Sequence, residues 1–249
     1  MLRLFFFAWL CCASLLCVCV DEARASTFDV SPITLTLSAK VPSGMLVVTN
    51  RGSEPLRFQV SAFVWDQKPH GEMVLKPTTD VVFFPALLTL SPNEKRNLRI
   101  GVQVRPATAE KSYRVFVQEL PPLVKSGVED GTVRVLTKMG IPIFLEPPGA
   151  KSAPAVGGLS LQGSTFKFEV KNGGTAHFRS QKVVVTAKAG SKVLHTQEVE
   201  GWYVLAGGVR EYVVELPKAA CQGLSSIQVD LESDKGAVKA ALSNAHCGP

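Results

Sequence analysis

The chain has 249 residues, 46% of them hydrophobic and 19% charged, with 20 Gly and 16 Pro. That composition excludes collagen-like, linker-like and disordered classes and leaves one large domain or two of about 100 residues. Lys and Arg number 27 against 21 Asp and Glu, a net charge of +6, but no window of five is solidly basic, so no nucleic-acid partner is expected.

Residues 1–25 read as a cleavable export signal. Arg3 precedes Leu4 to Val20, a run of 17 uncharged residues, and Ala23-Arg24-Ala25 fits the small-x-small cleavage pattern, which starts the mature chain at Ser26. Seventeen residues fall short of the roughly 20 that span a bilayer, and no other stretch is long and apolar enough, so no membrane insertion is expected. Cys11, Cys12, Cys17 and Cys19 leave with the signal. Leu16 and Val18 precede the last two of these where a lipoprotein signal wants small residues. Cys221 and Cys247 remain, an even pair in an exported chain, so a disulfide is predicted. Its loop of 25 intervening residues makes it worth roughly 3–4 kcal/mol in the chain-entropy model.

The mature chain reads as strands from end to end. Alternation runs through Thr34–Leu37, Met45–Thr49, Phe58–Val64, Tyr113–Val117, Val183–Lys188, Tyr212–Leu216 and Ile227–Leu231. Turn chemistry separates the runs at Asn50-Arg51-Gly52, Ser91-Pro92-Asn93, Asn172-Gly173-Gly174 and Gly207-Gly208. No helix shows a sustained 3.6-residue period. Three prolines punctuate residues 147–154 and make a stiff, extended joint. The prediction is an all-β chain of two immunoglobulin-like β-sandwich domains, residues 26–147 and 155–249, on either side of a Pro-rich hinge at 148–154. A single long barrel is the alternative.

Catalytic chemistry finds no residues to carry it. His70, His177, His195 and His246 stand in no metal-ligand spacing, and Glu129-Asp130, adjacent on an extended chain, point to opposite faces. There is no nucleophile elbow, phosphate loop or dinucleotide fingerprint. No enzyme activity, metal or cofactor is expected, so function is sought in a binding surface.

Residues 133–145 supply the candidate. Val133, Val135, Met139, Ile141, Ile143 and Leu145 form an apolar row broken by Thr137, and alternate residues project from one face of a strand. A last sandwich strand would turn such a row into its own core. An edge strand would offer it to another protein's incomplete sheet, and Pro142, which has no N–H, suits an edge. An exported protein that keeps a long apolar edge has a use for it.

Together these segments resemble the periplasmic chaperones of the chaperone–usher pilus pathway, the PapD-like family. Phe28-Asp29-Val30-Ser31-Pro32-Ile33 resembles their first strand and Leu46-Val47-Val48-Thr49-Asn50 their second. Phe83-Phe84-Pro85-Ala86-Leu87-Leu88-Thr89-Leu90-Ser91-Pro92, with Arg99-Ile100, resembles the D–E region. Tyr113-Arg114-Val115-Phe116-Val117-Gln118-Glu119-Leu120-Pro121-Pro122 resembles the F strand and its proline exit. Residues 133–147 resemble the subunit-capping G strand. The resemblance implies a periplasmic, ATP-independent chaperone that lends this strand to pilus subunits lacking their own and delivers them to an outer-membrane usher. Val133, Val135, Thr137, Met139 and Ile141 are then the donor positions.

The best-known members anchor the subunit's C-terminal carboxylate with two basic residues, at positions held here by Thr34 and Pro142. The chain is also similar to the archaic branch, which sets its basic anchors elsewhere. Arg99 and Arg114, each a bare charge in an apolar strand, are the anchor candidates, with Lys138 and Thr34 as secondary cleft residues. A free chaperone could pair with itself to hide its apolar row. Two alternatives remain open. A pilus subunit or adhesin would carry its own donor extension, yet strand pattern begins almost at once at Phe28. A carbohydrate binder would stack sugar on Trp65 and Trp202.

Overall fold

The computed structural model describes residues 27–123 and 135–248. The export signal and Val133 lie outside the described residues. Alternation of apolar and polar side chains builds the first half into ten strands: β1 (Phe28–Ser31), β2 (Leu35–Ser38), β3 (Ser43–Asn50), β4 (Leu56–Gln67), β5 (Met73–Pro77), β6 (Val81–Phe84), β7 (Leu87–Leu90), β8 (Lys95–Val102), β9 (Lys111–Leu120) and β10 (Lys138–Glu146). They form two facing sheets, β1-β3-β8-β6 and β2-β10-β9-β4-β5, with β7 beside β4. Leu46, Phe58, Leu98, Ile100, Val115 and Ile143 fill the space between.

The second half is a sandwich of its own. β11 (Pro154–Gln162), β12 (Thr165–Asn172) and β16 (Val209–Glu215) face β14 (Lys192–Val199), β13 (Phe178–Ala189), β17 (Ser226–Ser233) and β18 (Gly236–Ser243), with the short β15 (Tyr203–Val204) on β13. Phe166, Phe168, Phe178, Val185 and Val229 form its core. The prolines of the joint do not all lie outside strands, since β11 starts at Pro154 itself. A single helical turn, α1 (Lys218–Cys221), interrupts the strands. The Cys221–Cys247 disulfide ties that turn to the end of the chain.

Two asparagines close equivalent turns. Asn50 Nδ2 donates to the carbonyls of Glu54, Leu90 and Ser91 at 2.8–3.1 Å, and Asn172 Nδ2 to those of Ala176, Val204 and Leu205 over the same range. Each Oδ1 accepts the N–H two residues on, from Gly52 and Gly174. Both amides are buried, and each satisfies carbonyls that the turn would otherwise strand.

The halves meet over a buried cluster of Trp65 and Phe144 from the first and Leu205 from the second, with Tyr203 against it. Backbone hydrogen bonds cross the seam from Glu110 N–H to the Thr175 carbonyl (2.9 Å) and from Glu211 N–H to the Pro69 carbonyl (2.7 Å). Gln67 bridges as well, its amide donating to the Tyr203 carbonyl (2.9 Å) and accepting from Leu205 N–H (3.2 Å). His177 stacks on Phe144 with ring centroids 3.5 Å apart, and its Nδ1 lies 2.9 Å from both oxygens of the buried Glu110 carboxylate.

Candidate functional site: an open strand edge beside a buried arginine

β10 is paired unevenly along its length. Antiparallel pairing with β9 runs from Lys138↔Gln118 to Leu145↔Lys111, whereas parallel pairing with β2 covers only Ile143↔Leu35 to Glu146↔Ser38. Among the described residues no strand pairs the other edge of residues 138–142. Pro142 sits at the last position before β2 joins, and extending the register by one residue sets it beside Thr34. That edge therefore presents unpaired backbone groups, a template for one more strand.

The strand starts later than its sequence pattern suggests. Residues 135–137 leave the ladder, although Glu119 N–H still donates to the Thr137 carbonyl at 2.9 Å and Thr137 N–H to Glu119 Oε2 at 3.3 Å. Extending the register sets Val135 opposite Pro121, which has no N–H to donate. The apolar row divides accordingly. Val135 is 52% exposed, Thr137 is half-buried, and Met139 is a partly buried side chain at the margin of the first core. Ile141 is 1% exposed and belongs to the chain's own core with Ile143 and Leu145, so it has no free surface to offer.

Arg114 lies on the outer face of β9, opposite Phe63 of β4 and Pro142 of β10. It is only 6% exposed. Its Nη1 donates to the Gly140 carbonyl at 3.1 Å, and its guanidinium carbon stands 4.1 Å over the Trp65 ring and 5.4 Å from that of Trp202. Nε and Nη2 are buried without a partner, as is the Trp65 indole N–H. Burial pushes the guanidinium below its ordinary value, against an opposing effect of Tyr203. It nevertheless stays a cation. Gly140 makes room for the neighbouring Phe116, since a Cβ there would stand 2.8 Å from that ring. Lys138, exposed at the start of β10, holds its ammonium 4.4 Å over Phe116. Two guanidinium nitrogens without a partner beside the Lys138 ammonium suit this cleft to an anion.

The two anchor candidates are not brought together. Arg99 is on β8 in the other sheet, exposed, with Nη2 donating to Ser43 Oγ at 3.1 Å. Among the described residues Arg114 and Lys138 flank the open edge, with the half-buried Thr34 leading into β2. Trp65 is 3% exposed and beneath Arg114, so the two tryptophans make no open sugar platform. Tyr203 and Trp202 escaped the sequence as cleft residues, because nothing local in residues 200–205 points to a strand some ninety positions earlier.

The family model of pili and flagellar-assembly chaperones, PapD N-terminal domain, matches residues 27–151. The chain belongs to this chaperone family. Solved structures share its fold over most of its length. A chain of the CsuC–CsuE chaperone–tip subunit pre-assembly complex, from archaic chaperone–usher Csu pili of Acinetobacter baumannii, is 20% identical with a TM-score of 0.59. The match covers 87% of the present chain and 97% of that one. The Salmonella enterica SafA pilin–SafB chaperone complex matches at 17% identity and a TM-score of 0.58, covering 88% and 98%. The Pseudomonas aeruginosa CupB2 chaperone matches at 16% and 0.56, covering 87% and 100%. At these identities the likeness is one of fold. A sequence search of curated proteins finds no match. The chaperone family is not a family of enzymes, and among the described residues no helix is long and apolar enough to cross a membrane.

Proposed function

We propose that this chaperone acts in the periplasm, takes up an incomplete pilus subunit along the open edge of β10 and holds the subunit's C-terminal carboxylate on Arg114. The observation that carries the reading is the coincidence of an unpaired strand edge, residues 138–142, with a buried cation two of whose nitrogens, Nε and Nη2, have no acceptor. Backbone hydrogen bonds along the edge supply affinity for any extended chain. Val135, Thr137 and Met139 fill the gaps between the subunit's own side chains and set the register. Ile141 contributes from below, by holding the strand to its own core. Arg114 then fixes where the added strand ends, since a carboxylate can accept from Nε and Nη2 together. Lys138 and Thr34 line the same approach.

The CsuC–CsuE and SafA–SafB complexes, each a chaperone with its pilus subunit, support subunits as the ligand. The chaperone–usher setting of the first supports delivery to an outer-membrane usher. The signal-like residues 1–25 support export. No bond is made or broken in this cycle, so it needs neither cofactor nor metal.

The test is co-purification of the tagged chain with exported proteins encoded beside its gene. A stoichiometric small partner is expected. Arg114→Met should lose it while staying folded, whereas Arg99→Ala should keep it. A partner retained at full yield by Arg114→Met would overturn the anchor, and no partner at all would overturn the function.

A further inference from the structure

Arg114 faces the cleft between the halves with two donors unsatisfied, yet neither Nε nor Nη2 has accessible surface. A cation that waits for a ligand while closed to solvent must be covered by something that can move aside. Trp65 cannot be that cover, being itself buried in the seam with Phe144 and Leu205. Trp202 differs. The residue is 38% exposed, its ring lies 5.4 Å from the guanidinium carbon, and it sits in the loop between β14 and β15. The loop is pinned at its backbone, where Ser180 N–H donates to the Trp202 carbonyl at 2.8 Å. Gly201 permits this closeness, since a Cβ there would lie 2.6 Å from the Ser180 carbonyl oxygen. The backbone is fixed and the ring faces both the cation and solvent.

We propose that Trp202, contributed by the second sandwich, is the movable cover of the Arg114 anion site: its ring shields Nε and Nη2 in the free chaperone, and a carboxylate reaches them by displacing it. The cation–π contact holds the ring in place until an anion competes for the guanidinium. Water is kept off the site meanwhile, which strengthens the charge interaction once the carboxylate arrives. This gives the second sandwich a direct part in subunit recognition. The inference rests on the reading of Arg114 as an anion receptor, but its test does not require a subunit.

Phenylglyoxal attacks accessible guanidinium groups, and peptide mass spectrometry gives the rate at each arginine of the purified, unloaded chaperone. Arg99 serves as the exposed reference. Arg210, whose Nη1 is buried, reports on the integrity of the fold. Arg114 should react at least ten-fold more slowly than Arg99 in the native chain. Trp202→Ala should raise the Arg114 rate about ten-fold with Arg99 and Arg210 unchanged, and Trp202→Phe should restore most of the protection. If Arg210 accelerates too, the alanine variant has loosened the fold, and Trp202→Val, apolar but too short to reach the guanidinium, is read instead. An Arg114 rate unchanged in the variant that keeps Arg210 protected would overturn the proposal. Loss or retention of subunit capture by Arg114→Met leaves this comparison untouched, so the two readings fail separately.

Discussion

Taking a guanidinium out of water with two of its nitrogens unsatisfied costs more than the single bond from Arg114 to Gly140 returns. The contact with Trp65 offsets part of that cost. Arg114→Met should therefore fold as well as the native chain or better, by up to about 2 kcal/mol in chemical denaturation, while losing subunit. A loss of several kcal/mol would mean the arginine is structural. Tyr113, its neighbour on β9, points the other way, into the core, and donates to Asp80 Oδ2 at 2.7 Å. Burial first, and Asp80 second, raise its phenol above the ordinary value, and burial raises Tyr212 likewise. The folded chain then keeps these protons at a pH where the unfolded chain releases them. Their contribution is intact below about pH 10 and is lost as pH rises above it. Denaturant midpoints should fall between pH 10 and 11, and more shallowly in Tyr113→Phe. Arg114 was legible as a charge set in an apolar strand. Arg99 gave the same signal and came out on an open face. Local alternation places both on outer faces, and Trp65 on β4 with Trp202 far along the chain cover Arg114 and not Arg99.

The row of alternating residues that leads into β10 divides in two. Ile141, Ile143 and Leu145 hold the strand to its own core, and Val135 and Met139 lie where the ladder and the core give out. Val135→Asp should leave stability within about 0.5 kcal/mol and weaken subunit capture at least ten-fold. Ile141→Asp should instead cost about 3–5 kcal/mol by burying a charge. Equal destabilisation by both would show the whole row to be core. The alternation in β3, β4, β9, β13 and β17 made those strands plain in the sequence. It could not show where β10 changes from an open edge to a strand paired on both sides, because that boundary is set by the pairing of β2. β11 and β18, rich in Gly and Ala, carry little alternation and take their strand form from neighbours.

At the scale of the whole molecule, the seam joins the sandwiches through Phe144, which packs against Trp65, Tyr203 and His177 at once. Phe144→Ala should cost about 3–5 kcal/mol and split thermal unfolding into two calorimetric transitions, one per sandwich. A single transition, merely shifted down, would show the halves to be coupled elsewhere. The prolines at 147–154 made two sandwiches readable from the sequence. The Glu110–His177 pair, 67 positions apart, left no local trace.

The central claim is that an added strand lies on the open edge of β10. Amide hydrogen exchange of the purified chaperone with and without its stoichiometric subunit tests this most directly. Exchange across residues 135–142 should slow at least ten-fold in the complex, with the β14 edge of the second sandwich unchanged. Unaltered exchange at 135–142 in a stable complex, with protection appearing elsewhere, would contradict the account.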